Sequence, residues 1–122
     1  MVSIHMVLSP RSRGLIGVSE LALMKPGAIL INTSRGPIVD EAALIEAVKS
    51  RRIVAALDVY DREPLPADHP LRKASNTVLT PHLGYGVRDT WTVFYGQSIE
   101  NVLAFLDGKP VRVTNPEALR RV

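Results

Sequence analysis

The sequence predicts an α/β fold built on a parallel sheet, and three observations carry that expectation. Ala28–Asn32 and Ile53–Leu57 are continuous apolar runs rather than alternating ones, which suits strands covered on both faces. Between these runs lies a segment of helical spacing, with Ala43, Leu44, Ala47 and Val48 on one face. Polar residues able to do chemistry follow the runs: Arg35, Asp58, Glu63 and His82. Open α/β sheets bind ligands beyond the carboxyl ends of their strands. Strands alternating with helices imply parallel, right-handed βαβ connections.

In chain order, Val2–Leu8 reads as a first strand that contains His5 and is broken by Ser9-Pro10. Ser19 is placed to cap a short helix, Glu20–Met24, which Lys25-Pro26-Gly27 ends. The strand Ala28–Asn32 leads into the polar loop Thr33-Ser34-Arg35-Gly36, and Asp40 then caps a helix over Glu41–Lys49. Ile53–Leu57 forms the third strand. Val59–Lys73, with three prolines and little periodicity, reads as a loop in which His69 is a turn residue. A fourth strand, Thr77–Leu79, ends at Thr80-Pro81-His82. A long helix follows over residues 87–106. It gathers Val87, Trp91, Phe94, Tyr95, Ile99, Val102, Phe105 and Leu106 on one face, as core or as a partner surface, and Gly108 stops it. Val111–Val113 reads as a short terminal strand.

Composition narrows the function classes. A chain of 122 residues fits one domain and buries roughly two thirds of its unfolded surface. A hydrophobic fraction of 46% argues against disorder, and the absence of cysteine excludes disulfides and thiolate metal sites. No histidine pair has metal-ligand spacing, so no metal is expected. The net charge of +3 is spread out, with Arg51-Arg52 and Arg120-Arg121 only as pairs, and aromatics do not interleave with it. Nucleic acid is therefore not expected as a partner. No apolar run approaches the ~20 residues that span a bilayer, and the start lacks a secretory layout, so a cytoplasmic setting is the default expectation. Ser34 lacks the flanking glycines of a nucleophile elbow, and Gly84-Tyr85-Gly86 is a GxG with Asp89 where a dinucleotide fingerprint needs glycine.

Neighbouring strand ends in one parallel sheet converge, so Arg35, Asp58, Glu63 and His82 are expected at one rim. A His beside a carboxylate is an acid–base unit whose partner fixes the ring tautomer and favours its charged form. An Arg there grips a carboxylate through two parallel hydrogen bonds and polarises a carbonyl. Together these suit proton transfer on a 2-keto or 2-hydroxy acid. His5 reads as a satisfied core or rim residue.

These residues sit in runs that resemble a known family. Gly14-Leu-Ile-Gly17, Leu23-Met-Lys-Pro-Gly-Ala28, Asn32-Thr-Ser-Arg-Gly-Pro-Ile-Val-Asp-Glu41, Ala55-Ala-Leu-Asp-Val59, Glu63-Pro-Leu-Pro66 and Thr80-Pro-His-Leu-Gly84 follow the order and spacing of the D-isomer-specific 2-hydroxyacid dehydrogenases. The resemblance covers most of residues 1–115. It implies a partial Rossmann-like, doubly wound parallel sheet, the C-terminal half of a dinucleotide-binding domain over residues 1–107 including the long return helix. Residues 108–122 would be a tail belonging to a substrate domain. It implies that Arg35 binds the substrate, that His82 gives and takes the proton, and that Glu63 is its partner. It further implies NAD or NADP as cofactor, with Asp58 at the nicotinamide carboxamide, Thr33, Ser34, Gly84 and Tyr85 along the cofactor, and Met6 on its adenosine side. Where the family often has a second glycine after the His, this chain has Tyr85, as a subgroup does. The family's Gly-rich phosphate loop is absent from these residues, so the chain is expected to start after it and to be idle or slow alone. The expected partners are a small 2-hydroxy or 2-keto acid and either a second copy or a complementing N-terminal half. The alternative is a non-catalytic interaction module that pairs through its open strand edge and aromatic helix.

Overall fold

The computed structural model describes residues 1–121. Four strands, β1 (Val2–Ile4), β2 (Ala28–Asn32), β3 (Ile53–Leu57) and β4 (Thr77–Leu79), form one sheet in the order β1-β2-β3-β4. Every pairing is parallel, as expected, with Ile4 opposite Asn32, Asn32 opposite Leu57 and Leu57 opposite Leu79. The four carboxyl ends are thus in register, and the loops that leave them share one edge. The helices are α1 (Val18–Leu23), α2 (Glu41–Lys49), α3 (Pro70–Lys73) and α4 (Arg88–Leu106). The chain forms two compact units, residues 1–84 and the segment from Tyr85 onward.

In the first unit the core lies on one face of the sheet. Leu30, Ile53, Ala55 and Leu57 point into it, and α1, α2 and α3 add Leu21, Leu44, Val48 and Leu71. Burying such a side chain contributes about 1.5–3 kcal/mol. The continuous apolar runs suggest cover on both faces, but in the structure Ile29 is 37% exposed and Val54 and Ala56 are half-buried. Asp40 caps α2 as expected, accepting from the Ala43 N–H at 2.8 Å. Arg52 donates to the carbonyls of Leu21, Ala22 and Met24, so a cation meets the C-terminal end of α1.

Several expected boundaries move. The first strand stops at Ile4 rather than Leu8, and His5 lies just beyond it. The helix expected over 20–24 spans Val18–Leu23 and starts from Gly17 instead of Ser19; the Glu20 carboxylate reaches back to the Gly17 N–H at 2.9 Å. The expected loop over 59–73 ends in α3, with His69 as its cap: the ring accepts from the Leu71 N–H at 3.3 Å. Val87 is the cap of α4 rather than its first residue. Val111–Val113 is not a strand, because Arg112 adopts φ +54°, outside the strand region. Short 3₁₀ turns at Gly36–Ile38 and Pro116–Arg121 were not foreseen from the sequence. No residue of α4 is buried, so its apolar stripe is not a core face in this structure. Within that segment Tyr85, Trp91, Phe94 and Tyr95 form an aromatic cluster, with Trp91 and Tyr95 stacked at 5.5 Å between ring centroids.

Candidate active site

The loop after β2 is shaped by Asn32, which is buried at the last position of the strand. Its side-chain amide donates to the Arg35 carbonyl at 2.9 Å, and its side-chain oxygen accepts from the Ser34 N–H at 3.0 Å. The Ser34 hydroxyl donates to the Ile4 carbonyl at 2.7 Å and accepts from the Met6 N–H at 3.2 Å, which ties the ends of β1 and β2 together. Thr33 and Arg35 are left exposed, and the Arg35 guanidinium donates to the Ser34 carbonyl at 2.6 Å. His5 is exposed beside this loop, its ring bonded to the Ser3 hydroxyl at 2.8 Å, a satisfied rim residue.

Two carboxylates of the loop after β3, Asp58 and Glu63, have different partners. Asp58 is buried. One of its oxygens accepts from the Thr80 hydroxyl at 2.5 Å and the Leu83 N–H at 2.9 Å, the other from the Gly84 N–H at 2.8 Å. Burial raises the pKa of this carboxyl, but the three hydrogen bonds and the charge of His82 outweigh it, and the net shift is downward. Glu63 accepts from the Tyr60 N–H at 2.9 Å through one oxygen and meets His82 Nδ1 at 2.7 Å through the other. Burial again raises and is outweighed: the His82 hydrogen bond, the Tyr60 N–H and the charges of His82 and Arg35 hold the Glu63 pKa below its ordinary value.

His82 sits at φ +56°, a conformation L residues seldom adopt. The bonds from Asp58 to Thr80, Leu83 and Gly84 bracket it and hold that conformation in place. With Nδ1 engaged by Glu63, Nε2 is the ring nitrogen left for a ligand. Glu63 and His82 open onto a cavity of about 470 Å³, walled by Tyr60, Leu65, Leu79 and Pro81 and also lined by Arg72, which donates to the carbonyls of Leu65 and Pro66. Arg35 is not in that wall. It stands at the neighbouring strand end, near enough for its charge to act on Glu63.

Arg35, Glu63 and His82 therefore lie along one sheet edge, whereas Asp58 is committed to holding the His82 loop. Among the described residues no cluster of His, Asp or Glu is placed to hold a metal ion, and no helix is long and apolar enough to cross a membrane. Asn32, Tyr60 and Thr80 were missed as parts of the site. An Asn at the end of an apolar run was the one available signal, since Asn side chains bond nearby backbone where strands give way to turns.

A wholly parallel sheet with a His–carboxylate pair beyond its carboxyl edge places this chain among the open α/β domains of Rossmann type. Within that class it belongs to the family described as D-isomer specific 2-hydroxyacid dehydrogenase, NAD binding domain, whose model matches residues 1–84. It is 46% identical over 121 residues to a glyoxylate reductase of Aeropyrum pernix, covering 98% of this chain and 36% of that protein. It resembles the crystal structure of a putative D-3-phosphoglycerate dehydrogenase from Ralstonia solanacearum, with a TM-score of 0.85 at 37% identity, covering 96% of this chain and 35% of that one. It also resembles the D-lactate dehydrogenase of Lactobacillus jensenii solved with NAD⁺, with a TM-score of 0.72 at 32% identity, covering 90% and 37% respectively. The chain thus spans about a third of the length of the proteins it matches.

Proposed function

We propose that this chain is the catalytic-edge portion of an NAD(P)-dependent oxidoreductase acting on a small D-2-hydroxy acid or the corresponding 2-keto acid. The observation that carries this reading is the His82 Nδ1–Glu63 contact at 2.7 Å beside the Arg35 loop, in a chain of this family. Arg35 binds the substrate carboxylate. His82 holds a proton on Nε2 for the carbonyl oxygen in reduction and takes it back in oxidation, while Glu63 keeps Nδ1 protonated and the ring oriented. A reduced nicotinamide, when bound, supplies the hydride to the carbonyl carbon. The exposed Thr33 hydroxyl, which makes no hydrogen bond among the described residues, suits the amide end of that ring, with Ser34 and Gly84 further along the cofactor and Met6 toward its adenosine side. Asp58 enters this reading through the His82 loop, because three of its four acceptor positions are already used.

Residues 1–107 would serve as the second half of a cofactor domain and 108–122 as the link to a substrate domain. The chain alone would turn over slowly, since no GxGxxG occurs in its 122 residues. The test is reduction of glyoxylate and hydroxypyruvate by NADH or NADPH at high concentrations of the purified chain. His82→Ala should remove most of whatever rate is seen, roughly 10²–10⁴-fold. An undiminished rate would refute the assignment.

One observation favours a second reading, an interaction module. α4 has no buried residue, and Trp91, Phe94, Tyr95, Ile99 and Phe105 are all at least 40% exposed. Size-exclusion at several concentrations separates the two: a strict monomer at the highest concentration removes self-association.

A further inference from the structure

Tyr60 touches the segments that carry Arg35, Glu63 and His82, and nothing in the acid–base reading uses it. Its backbone N–H donates to Glu63 at 2.9 Å. Its ring is buried, and its hydroxyl donates to the Thr80 carbonyl at 2.8 Å, with the Leu57 carbonyl at 3.1 Å as a second acceptor. Its own carbonyl lies against Gly36, the residue after Arg35, so closely that a Cβ on Gly36 would overlap it. One residue thus abuts the Arg35 loop, fixes a Glu63 oxygen and holds the backbone two residues before His82.

We propose that Tyr60 is a positioning residue for the acid–base pair: its N–H and its hydroxyl set the separation at which Glu63 and His82 meet. The proposal rests on the roles given above to Glu63 and His82. Without the hydroxyl, the Thr80–His82 strand end has one tether fewer and the 2.7 Å contact loosens. Burial and the charge of Asp58 raise the Tyr60 pKa, with Glu63 adding to this and Arg72 and the Thr80 bond opposing it, so the hydroxyl keeps its proton through the neutral range. The charged groups that act on Glu63 are His82 and Arg35, and neither is altered by removing the hydroxyl.

The experiment is a carboxyl ¹³C NMR titration of Glu63 in the wild-type chain, in Tyr60→Phe, and in Tyr95→Phe as an exposed-tyrosine control. Tyr60→Phe should move the Glu63 midpoint upward by about 0.3 pH unit or more, because the His82 contact is part of what holds it below its ordinary value. Tyr95→Phe should leave it in place. A Glu63 midpoint unchanged in Tyr60→Phe overturns the proposal, even if the thermal midpoint falls, since a merely structural role would move stability alone. Should Tyr60→Phe fail to fold, the wild-type chain still decides. A Tyr60 hydroxyl proton protected from exchange and close to Thr80 supports the proposal, and a freely exchanging one overturns it. No substrate or cofactor enters these measurements, so a chain without turnover and a chain whose pair Tyr60 does not hold give different results.

Discussion

Asp58 and Glu63 stand five positions apart on one loop, yet their surroundings assign them different work. Both carboxyls have pKa values lowered on folding. A group of that kind adds stability that is present above its unfolded pKa and lost as pH falls through the lower folded value. The thermal midpoint should therefore fall as pH drops below about 4. Asp58→Asn should cost about 1–3 kcal/mol at neutral pH, because a side-chain amide turned toward Leu83 or Gly84 presents donors to donors. The variant should also show a shallower acid limb, one of the two carboxylates having gone. Thermal melts of both proteins from pH 3 to pH 7 check this, and parallel acid limbs would refute it. At this scale the sequence placed Arg35, Glu63 and His82 beyond strand ends, because residue type and position after a strand are visible in it. It concealed that the carboxylates differ. Which donors meet Asp58 depends on Thr80, Leu83 and Gly84, more than twenty positions away.

The elements show the same division between what is local and what is not. β2, β3, β4 and α2 were legible to the residue, since an apolar run bounded by turn residues, or a capped amphipathic segment, is local information. β1 was overestimated because its length is set by its neighbour: Ile4 pairs with Asn32, and beyond Asn32 the chain turns into the Ser34 loop, so Met6–Leu8 have no ladder to join. α3 was hidden because four residues are too few to show periodicity. The Gly36 turn was missed for a similar reason, and it carries a prediction. Gly36 lies against the Tyr60–Asp61 backbone, where a Cβ has no flexible side chain to displace. Gly36→Ala should destabilise the chain more than Asp40→Ala, whose loss of a helix cap costs about 0.5–2 kcal/mol. Urea unfolding of the two variants tests the order. A Gly36→Ala variant as stable as wild type would mean that the loops carrying Arg35 and Glu63 do not abut in solution.

For the whole molecule the deciding question is how much of a dinucleotide these residues hold. Pyrophosphate binds best to free N–H groups at a helix N-terminus opened by glycines, with no acid nearby. The three longer helices each carry an acid at that end. Glu20 occupies the Gly17 N–H of α1, Asp40 caps α2 with Glu41 next to it, and Asp89 lies in the first turn of α4. A phosphate approaching any of them meets a nearby carboxylate. What remains is the exposed edge around Thr33 and Arg35, the residues to which the proposed reading gives the nicotinamide amide and the substrate carboxylate. Losing about 3 kcal/mol of phosphate anchoring turns a micromolar Kd into one of roughly 0.1 mM or weaker. Fluorescence titration with NADH and NADPH should therefore give affinities in that range for both. Micromolar binding of either would mean that a phosphate site exists among these residues despite the acids at the helix ends. The same titration with Thr33→Val would then show whether the amide end contributes, since the exposed Thr33 hydroxyl is the group assigned to it.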